Sequence, residues 1–405
     1  MFKVYILIHQ TLNPKFLTKF ITENHPKIPV LKKITPPQIA ISVYFFICGL
    51  IFSSWASRIP AIKDHFSFNE AELGAVLFTL PLGALSALPF SGWLVQKLGS
   101  KRISIYSLLL YSISLYFIST ANTVTALSVA LFLFGFIGNL ANISMNTQGL
   151  AIQQILDKPI LSKLHAMWSI GAFLAAAISG WTMKLDFTTS AHFIMIALMG
   201  LLSCLSVYKF LVKDQENSQP QKIFVLPTRG LILLGFICFC VAMSEGAMAD
   251  WSSLYYRMAI KDLQKISTTG YTAFAFSMAI GRFMGDKLIQ LFGYKRVLKL
   301  NGLFILIGMS IALVFQSPVT VIIGFSLVGL GVSSVFPVVY ILAAKTTSMA
   351  PSAALSAVSS VGFVGFLVGP PMIGFVAQQT GLRLALGIVS FLGLFIWLLT
   401  FKIKK

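Results

Sequence analysis

Twelve long apolar runs succeed one another along this chain, each close to the roughly 20 residues that a helix needs to cross a hydrocarbon core about 30 Å thick. They lie at about 39–57, 73–95, 103–120, 124–152, 165–183 and 191–211, then at about 230–256, 268–291, 298–315, 318–343, 355–378 and 384–401. A segment in lipid must satisfy its own backbone hydrogen bonds, so each run is predicted to be a helix. With 57% apolar and 11% charged residues, the chain is far from the roughly 25% charge of a soluble domain. Its 35 Phe demand burial and its 30 Gly have no collagen-like period, which excludes a disordered or fibrous polymer. Cys48, Cys204, Cys238 and Cys240 all fall inside the runs without metal-ligand spacing, and they read as small core hydrophobes. Neither H-E-x-x-H nor G-x-S-x-G occurs and the five His are dispersed, so the sequence argues against an enzyme, a metal site or a cofactor.

The formal net charge of +19 invites a nucleic-acid partner. Such binding needs basic side chains gathered on one water-exposed face, whereas here they occupy the gaps between apolar runs. Assigned to alternate sides, 24 of the 31 Lys and Arg fall on one side and seven on the other, with Arg282 counted on the richer side as the end of the eighth span. The positive-inside rule then places both termini in the cytoplasm. Val212 to Thr228, with Lys213, Asp214, Glu216, Lys222 and two prolines, is too polar for a bilayer. The expected organisation is a cytoplasmic arm at 1–36, six spans in 37–211, a cytoplasmic linker at 212–228, and six spans with a basic tail in 229–405.

The two halves repeat. A single shift of 194 residues lays Ser91-Gly-Trp-Leu-Val-Gln-Lys-Leu-Gly-Ser-Lys-Arg102 on Gly285-Asp-Lys-Leu-Ile-Gln-Leu-Phe-Gly-Tyr-Lys-Arg296. It also puts Gly135 on Gly329, Gly171 on Gly365 and Gly180 on Gly374, and Trp55 meets Trp251 after a slip of two. Two six-helix halves in parallel orientation are indicated.

The loop segment resembles the signature of the major facilitator superfamily between its second and third helices. That signature is a Gly, three residues, an Asp, a basic residue, one residue, a Gly and then basic residues. Gly92, Lys97, Gly99, Lys101 and Arg102 fit it, and Gln96 stands where the family has Asp. Trp55-Ala-Ser-Arg58-Ile-Pro60, His165-Ala-Met-Trp168-Ser-Ile-Gly171 and Glu245-Gly-Ala-Met-Ala-Asp250-Trp251 resemble the bacterial fucose-permease-like branch more narrowly. The resemblance implies an all-α membrane protein with 12 transmembrane helices in two pseudo-symmetric six-helix bundles. It also implies a monomeric secondary carrier of the bacterial inner membrane, with a small-molecule site between the halves near mid-membrane. Gly92, Gln96, Gly99 and Arg102, with Arg282, Asp286, Gly293 and Arg296 in the second half, would then belong to the gating loops. Gln96 weakens a charged latch in the first half; Asp286 offers a carboxylate in the second, within i,i+4 reach of Arg282.

Ionisable side chains within spans are costly, so each is a functional candidate. Among the twelve acidic residues, Glu245 and Asp250 lie well inside a span away from the cytoplasmic face. A carboxyl group whose access to water alternates can take up and release a proton. Glu245 is therefore either a coupling group or a fixed structural bond, and Asp250 either shares that role or pairs with Arg58 or Arg257 as a gate. Asn139, Asn142 and Asn146 form one stripe of the fourth helix, for substrate contact or for helix–helix bonding. The 194-residue shift sets Ser333, Phe336 and Tyr340 opposite them. His165 reads as a helix-end residue or a proton relay, and Trp168 as a cavity aromatic or a packing residue. Gly365, Gly369, Pro370, Pro371 and Gly374 permit close packing and a kink in the eleventh helix. With no Lys or Arg apparent at depth, a neutral sugar-like solute moved by proton symport is expected. Proton-driven efflux of an amphipathic compound, and a sensor retaining the fold, are the alternatives.

Overall fold

The computed structural model describes residues 35–157, 160–213, 229–259, 268–346 and 351–403, and these contain helices and no strand. Six helices make the first half: α1 Pro36–Phe66, α2 Glu70–Leu98, α3 Ser100–Ser119, α4 Val124–Leu156, α5 Leu161–Lys184 and α6 Thr189–Val207. The second half comprises α7 Arg229–Ala259, α8 Thr269–Phe315, α9 Pro318–Ser333, α10 Val335–Thr346, α11 Pro351–Thr380 and α12 Leu382–Leu399. By length and composition, eleven helical stretches among the described residues can cross a membrane. The first part of α8 lies outside that set. The expected arm lies outside the described residues except for 35 and 36, and the expected linker except for 212 and 213.

The eighth and ninth runs are two helices that meet at Gly293 (φ 76°, ψ 160°) without an intervening loop, and one run departs from the expected outline. The tenth divides into α9 and α10 at Ser334. Pro337 accounts for the break, since it has no N–H to give the Ser333 carbonyl and its ring crowds that residue.

Local chemistry sets the other boundaries. Asn69 and Glu72 form a capping box that starts α2, and Thr123 and Thr188 cap α4 and α6. Gly99 separates α2 from α3 at φ 86°, ψ 145°, a region open essentially to glycine alone.

The repeat is built into the coordinates. Gly99 and Gly293, 194 residues apart, share that backbone conformation. Lys101 Nζ donates to the carbonyls of Lys209 and Leu211 (3.2 and 2.7 Å), and Lys295 Nζ donates to those of Phe401 and Ile403 (3.4 and 2.7 Å). Each half thus fastens its third span to its own C-terminal end. Gly135 lies against the Leu80 carbonyl and Gly329 against the Phe274 carbonyl, again at the same shift. Leu202, Phe315 and Leu384 are among the large apolar side chains left exposed, as a lipid-facing surface requires.

Between the halves, α2 packs on α11 and α5 on α8. A Cβ on Gly74 would stand 2.8 Å from the Pro370 carbonyl oxygen, and one on Gly374 would stand 2.6 Å from that of Glu70. This is the close packing expected of the glycines and prolines of α11.

Candidate functional site

A charge half-way through a hydrophobic bundle must find partners. Arg282 lies 13 residues into α8, about 20 Å from its start, and Glu245 lies 16 residues into α7, about 24 Å along. Arg282 Nη2 donates to Glu245 Oε1 at 3.4 Å. Its Nη1 donates to Ser169 Oγ at 2.5 Å, while the Ser169 hydroxyl donates back to the His165 carbonyl at 3.1 Å. The guanidinium also lies 5.7 Å from the Trp168 ring. Both charged side chains are largely enclosed, at 17% exposure for Arg282 and 14% for Glu245. One cation therefore joins α8 and α7 of the second half to α5 of the first.

This placement corrects two sequence expectations. Arg282 is not at the end of its span but in the middle. Its guanidinium is engaged with Glu245 and Ser169, and the side chain of Asp286 lies outside the described residues. A cation does stand at depth, so the argument for an uncharged solute loses its premise. Ser169 and Tyr271 were not singled out in the sequence. Tyr271, on α8, is fully enclosed and lies within electrostatic range of Glu245, Asp250 and Arg282.

The α4 stripe divides. Asn139 is 5% exposed and accepts a hydrogen bond from Ser91 Oγ of α2 at 3.0 Å, which makes it a packing residue. Asn142 and Asn146 are half-buried, and Asn146 Nδ2 donates to Asn142 Oδ1 at 2.9 Å. On the opposite side Ser333 is also a packing residue: its hydroxyl is buried beneath Gly281 of α8 and donates to the Leu330 carbonyl. Phe336 and Tyr340 are half-buried with ring centroids 5.9 Å apart, and Tyr340 Oη accepts from Ser359 of α11. Trp168 is half-buried and faces Phe52 of α1 at 6.0 Å. His165, exposed near the start of α5, meets Phe45 edge-on at 5.3 Å.

Asp250 forms neither expected pair. Arg58 turns into its own half, where it donates to His192 Nδ1, Thr182 Oγ1 and the Phe187 carbonyl and so braces α1 to α5 and α6. Arg257 instead grips Asp64 at the end of α1 with both terminal nitrogens. Among the described residues Asp250 has no hydrogen bond or ion pair. Nearby on α7 the Trp251 indole N–H and the hydroxyls of Ser252 and Ser253 are buried without partners among the described residues, as are those of Ser54 and Ser57 on α1. Polar groups of this kind persist in a membrane where water or solute reaches them.

The Asp64–Arg257 bond marks an end of the molecule. The hydrogen bonds, ion pairs and ring contacts joining the two halves among the described residues lie between the Arg282 level and that end: Asp64–Arg257, Phe173–Phe276 at 5.0 Å, and the Arg282 contacts. At the other end Gln96, Arg102 and Arg296 are exposed and make no hydrogen bond or ion pair among the described residues, and Gly92 has open space beside it. Among the described residues these bonds latch the halves at one end, and none of them lies at the other.

The comparisons agree with this architecture. The sequence profile described as Major Facilitator Superfamily matches residues 40–309 and 259–405. An uncharacterised MFS-type transporter of Yersinia pestis is 29% identical over 355 residues, covering 88% of this chain and 92% of that one. The membrane protein MosC of Rhizobium meliloti is 30% identical over 370 residues, covering 90% of this chain and 89% of that one. Among solved structures, the nucleoside transporter NupG superposes with a TM-score of 0.73 at 14% identity, covering 90% of this chain and 98% of that one. With a repeated six-helix half, a polar centre between the halves and a profile match across both, the chain belongs to the Major Facilitator Superfamily and is a membrane transporter, not an enzyme.

Proposed function

We propose that this transporter is a proton-coupled carrier which binds a small hydroxyl-bearing organic solute between its halves and exposes it to one side of the inner membrane at a time. The observation that carries the reading is the Arg282–Glu245–Ser169 contact, a titratable pair at mid-depth that ties the halves together. A solute reaching this pair changes the bonds that hold α5 to α8, which links occupancy to the relative position of the halves. Asn142, Asn146 and Tyr340 supply amide and phenol groups suited to hydroxyls, and Trp168, Phe52 and Phe336 supply aromatic faces. With the basic-rich loops cytoplasmic, the latched end faces outward and the separated end inward.

The test is uptake into liposomes under an imposed pH gradient. Glu245→Gln is expected to abolish uphill accumulation while leaving solute exchange measurable. Unchanged accumulation in that variant would remove Glu245 from coupling. The half-buried aromatic faces near Arg282 favour efflux of an amphipathic compound as the second reading. Movement of such compounds, and of no hydroxyl-bearing solute, in the same vesicles would select it.

A further inference from the structure

Among the described residues Arg282 is incompletely used. Of the five N–H groups of a guanidinium, one meets Ser169 and one meets Glu245. The Glu245 contact uses a single carboxylate oxygen at 3.4 Å, longer than the 2.7–2.9 Å typical of a charge-assisted bond and lacking the second bond of a fork. The Ser169 bond, by contrast, is short, and Ser169 is itself anchored to the His165 carbonyl, so the guanidinium is held in place from the α5 side. A fixed cation with a loosely attached anion is arranged to exchange one carboxylate for another.

We infer that the transported solute carries a carboxylate, which displaces Glu245 from Arg282 and forms the paired bonds that Glu245 does not make. The inference rests on the carrier reading and names its substrate class: hydroxylated monocarboxylates, with the carboxylate on Arg282 and the hydroxyls toward Asn142, Asn146 and Tyr340. The charges balance without a further reactant. In the empty site Arg282 is positive and Glu245 negative. When the solute anion takes Arg282, Glu245 loses its counter-ion and binds one proton, so the loaded site is again Arg⁺ with one carboxylate. Both states are neutral as the halves rock through a closed intermediate, which keeps the desolvation cost of the passage low. A phosphate monoester dianion would leave the loaded site negative, and it is excluded by the same balance.

Other titratable groups also face this pair. They are His165 from α5, Tyr271 from α8, Tyr340 from α10 and Asp250 further along α7. His165 brings an imidazole close to the pair, so a His165→Asn control belongs in the test.

The experiment measures binding to the full-length protein by thermal stabilisation, using matched probes: gluconate against sorbitol, glucuronate against glucose, benzoate against benzamide, and glucose 6-phosphate. At least one acid is expected to stabilise the wild type where its neutral twin and the phosphate ester do not, and more strongly at mildly acidic than at alkaline pH. Arg282→Gln should weaken that binding at least about tenfold, and Arg282→Lys, which keeps the charge but loses the fork, should weaken it less. In Glu245→Gln the acid should bind with its pH dependence lost, and His165→Asn should retain that dependence. In liposomes the same acid should move without moving net charge, driven by a pH difference and indifferent to membrane voltage. Absence of acid-specific stabilisation, acid binding unaltered in both Arg282 variants, or voltage-driven movement of the acid would overturn the inference. A neutral probe that is bound and transported would overturn it while leaving the carrier reading in place.

Discussion

The Asp64–Arg257 bond gives a quantitative handle on the closed end. It connects α1 to α7 across 193 residues of sequence, and both terminal nitrogens of Arg257 engage the Asp64 carboxylate. Its side chains are 60% exposed for Asp64 and 22% for Arg257, so most of its Coulomb energy is screened. A pair this wet contributes roughly 0.2–1 kcal/mol, which corresponds to a shift of about 1.4- to 5-fold in the balance between latched and unlatched states. Asp64→Asn should move the population by that factor. The assay is alkylation of a Thr268→Cys variant, whose site is 2% exposed and lies against Gly180 of the other half while the end is closed. An impermeant reagent applied to that side should label the Asp64→Asn background about 1.4- to 5-fold faster. High salt should narrow the difference, and the swap Asp64→Arg with Arg257→Asp should restore the slow rate. A labelling change beyond about tenfold, or a swap that fails to restore protection, would contradict the energy assigned here.

Other outcomes follow from individual contacts. Replacing Asn139 by Ala removes its bond from Ser91, whose hydroxyl keeps the Ala87 carbonyl, and should destabilise the protein by about 0.5–1.5 kcal/mol in a detergent unfolding assay. Asn142→Ala and Asn146→Ala, at half-buried positions, should instead weaken solute binding more than folding, and wild-type affinity in both would return them to helix packing. Gly293→Ala forces a side chain into a backbone region open to glycine and should cost about 1–3 kcal/mol, as should its counterpart Gly99→Ala. Cysteines introduced within residues 212–228 should be labelled from the cytoplasmic side in oriented vesicles, and labelling from outside would invert the topology.

Helix number and the repeat were legible because both depend on period and composition, which lipid enforces locally. The shared geometry of Gly99 and Gly293 was foreshadowed by the 194-residue match. The functional centre was less legible. Arg282 precedes Asp286 by one turn, a spacing that reads equally as a solvated helix end and as a buried charge with a distant partner. What decides between them is the rotation of α8 relative to α5 and α7, which is fixed by packing across more than a hundred residues of sequence. The asparagine stripe shows the same limit. Its spacing puts three amides on one arc of α4, yet that arc straddles the α2 contact, so Asn139 is sealed by Ser91 while Asn142 and Asn146 stay half-buried. Arg58 and Arg257 were equivalent candidates for Asp250 in sequence. The fold turns one inward to His192 and the other to Asp64.

A carrier whose halves rock about the Arg282 contact must open one end as it closes the other. Spin labels at Gln96 and Gln290, exposed at the separated end, and at Ser67 and Gln379, exposed at the latched end, report both distances in one protein. On lowering the pH with a bound solute present, the Gln96–Gln290 distance should shorten as the Ser67–Gln379 distance lengthens. Two distances that stay fixed, or that grow and shrink together, would contradict alternating access.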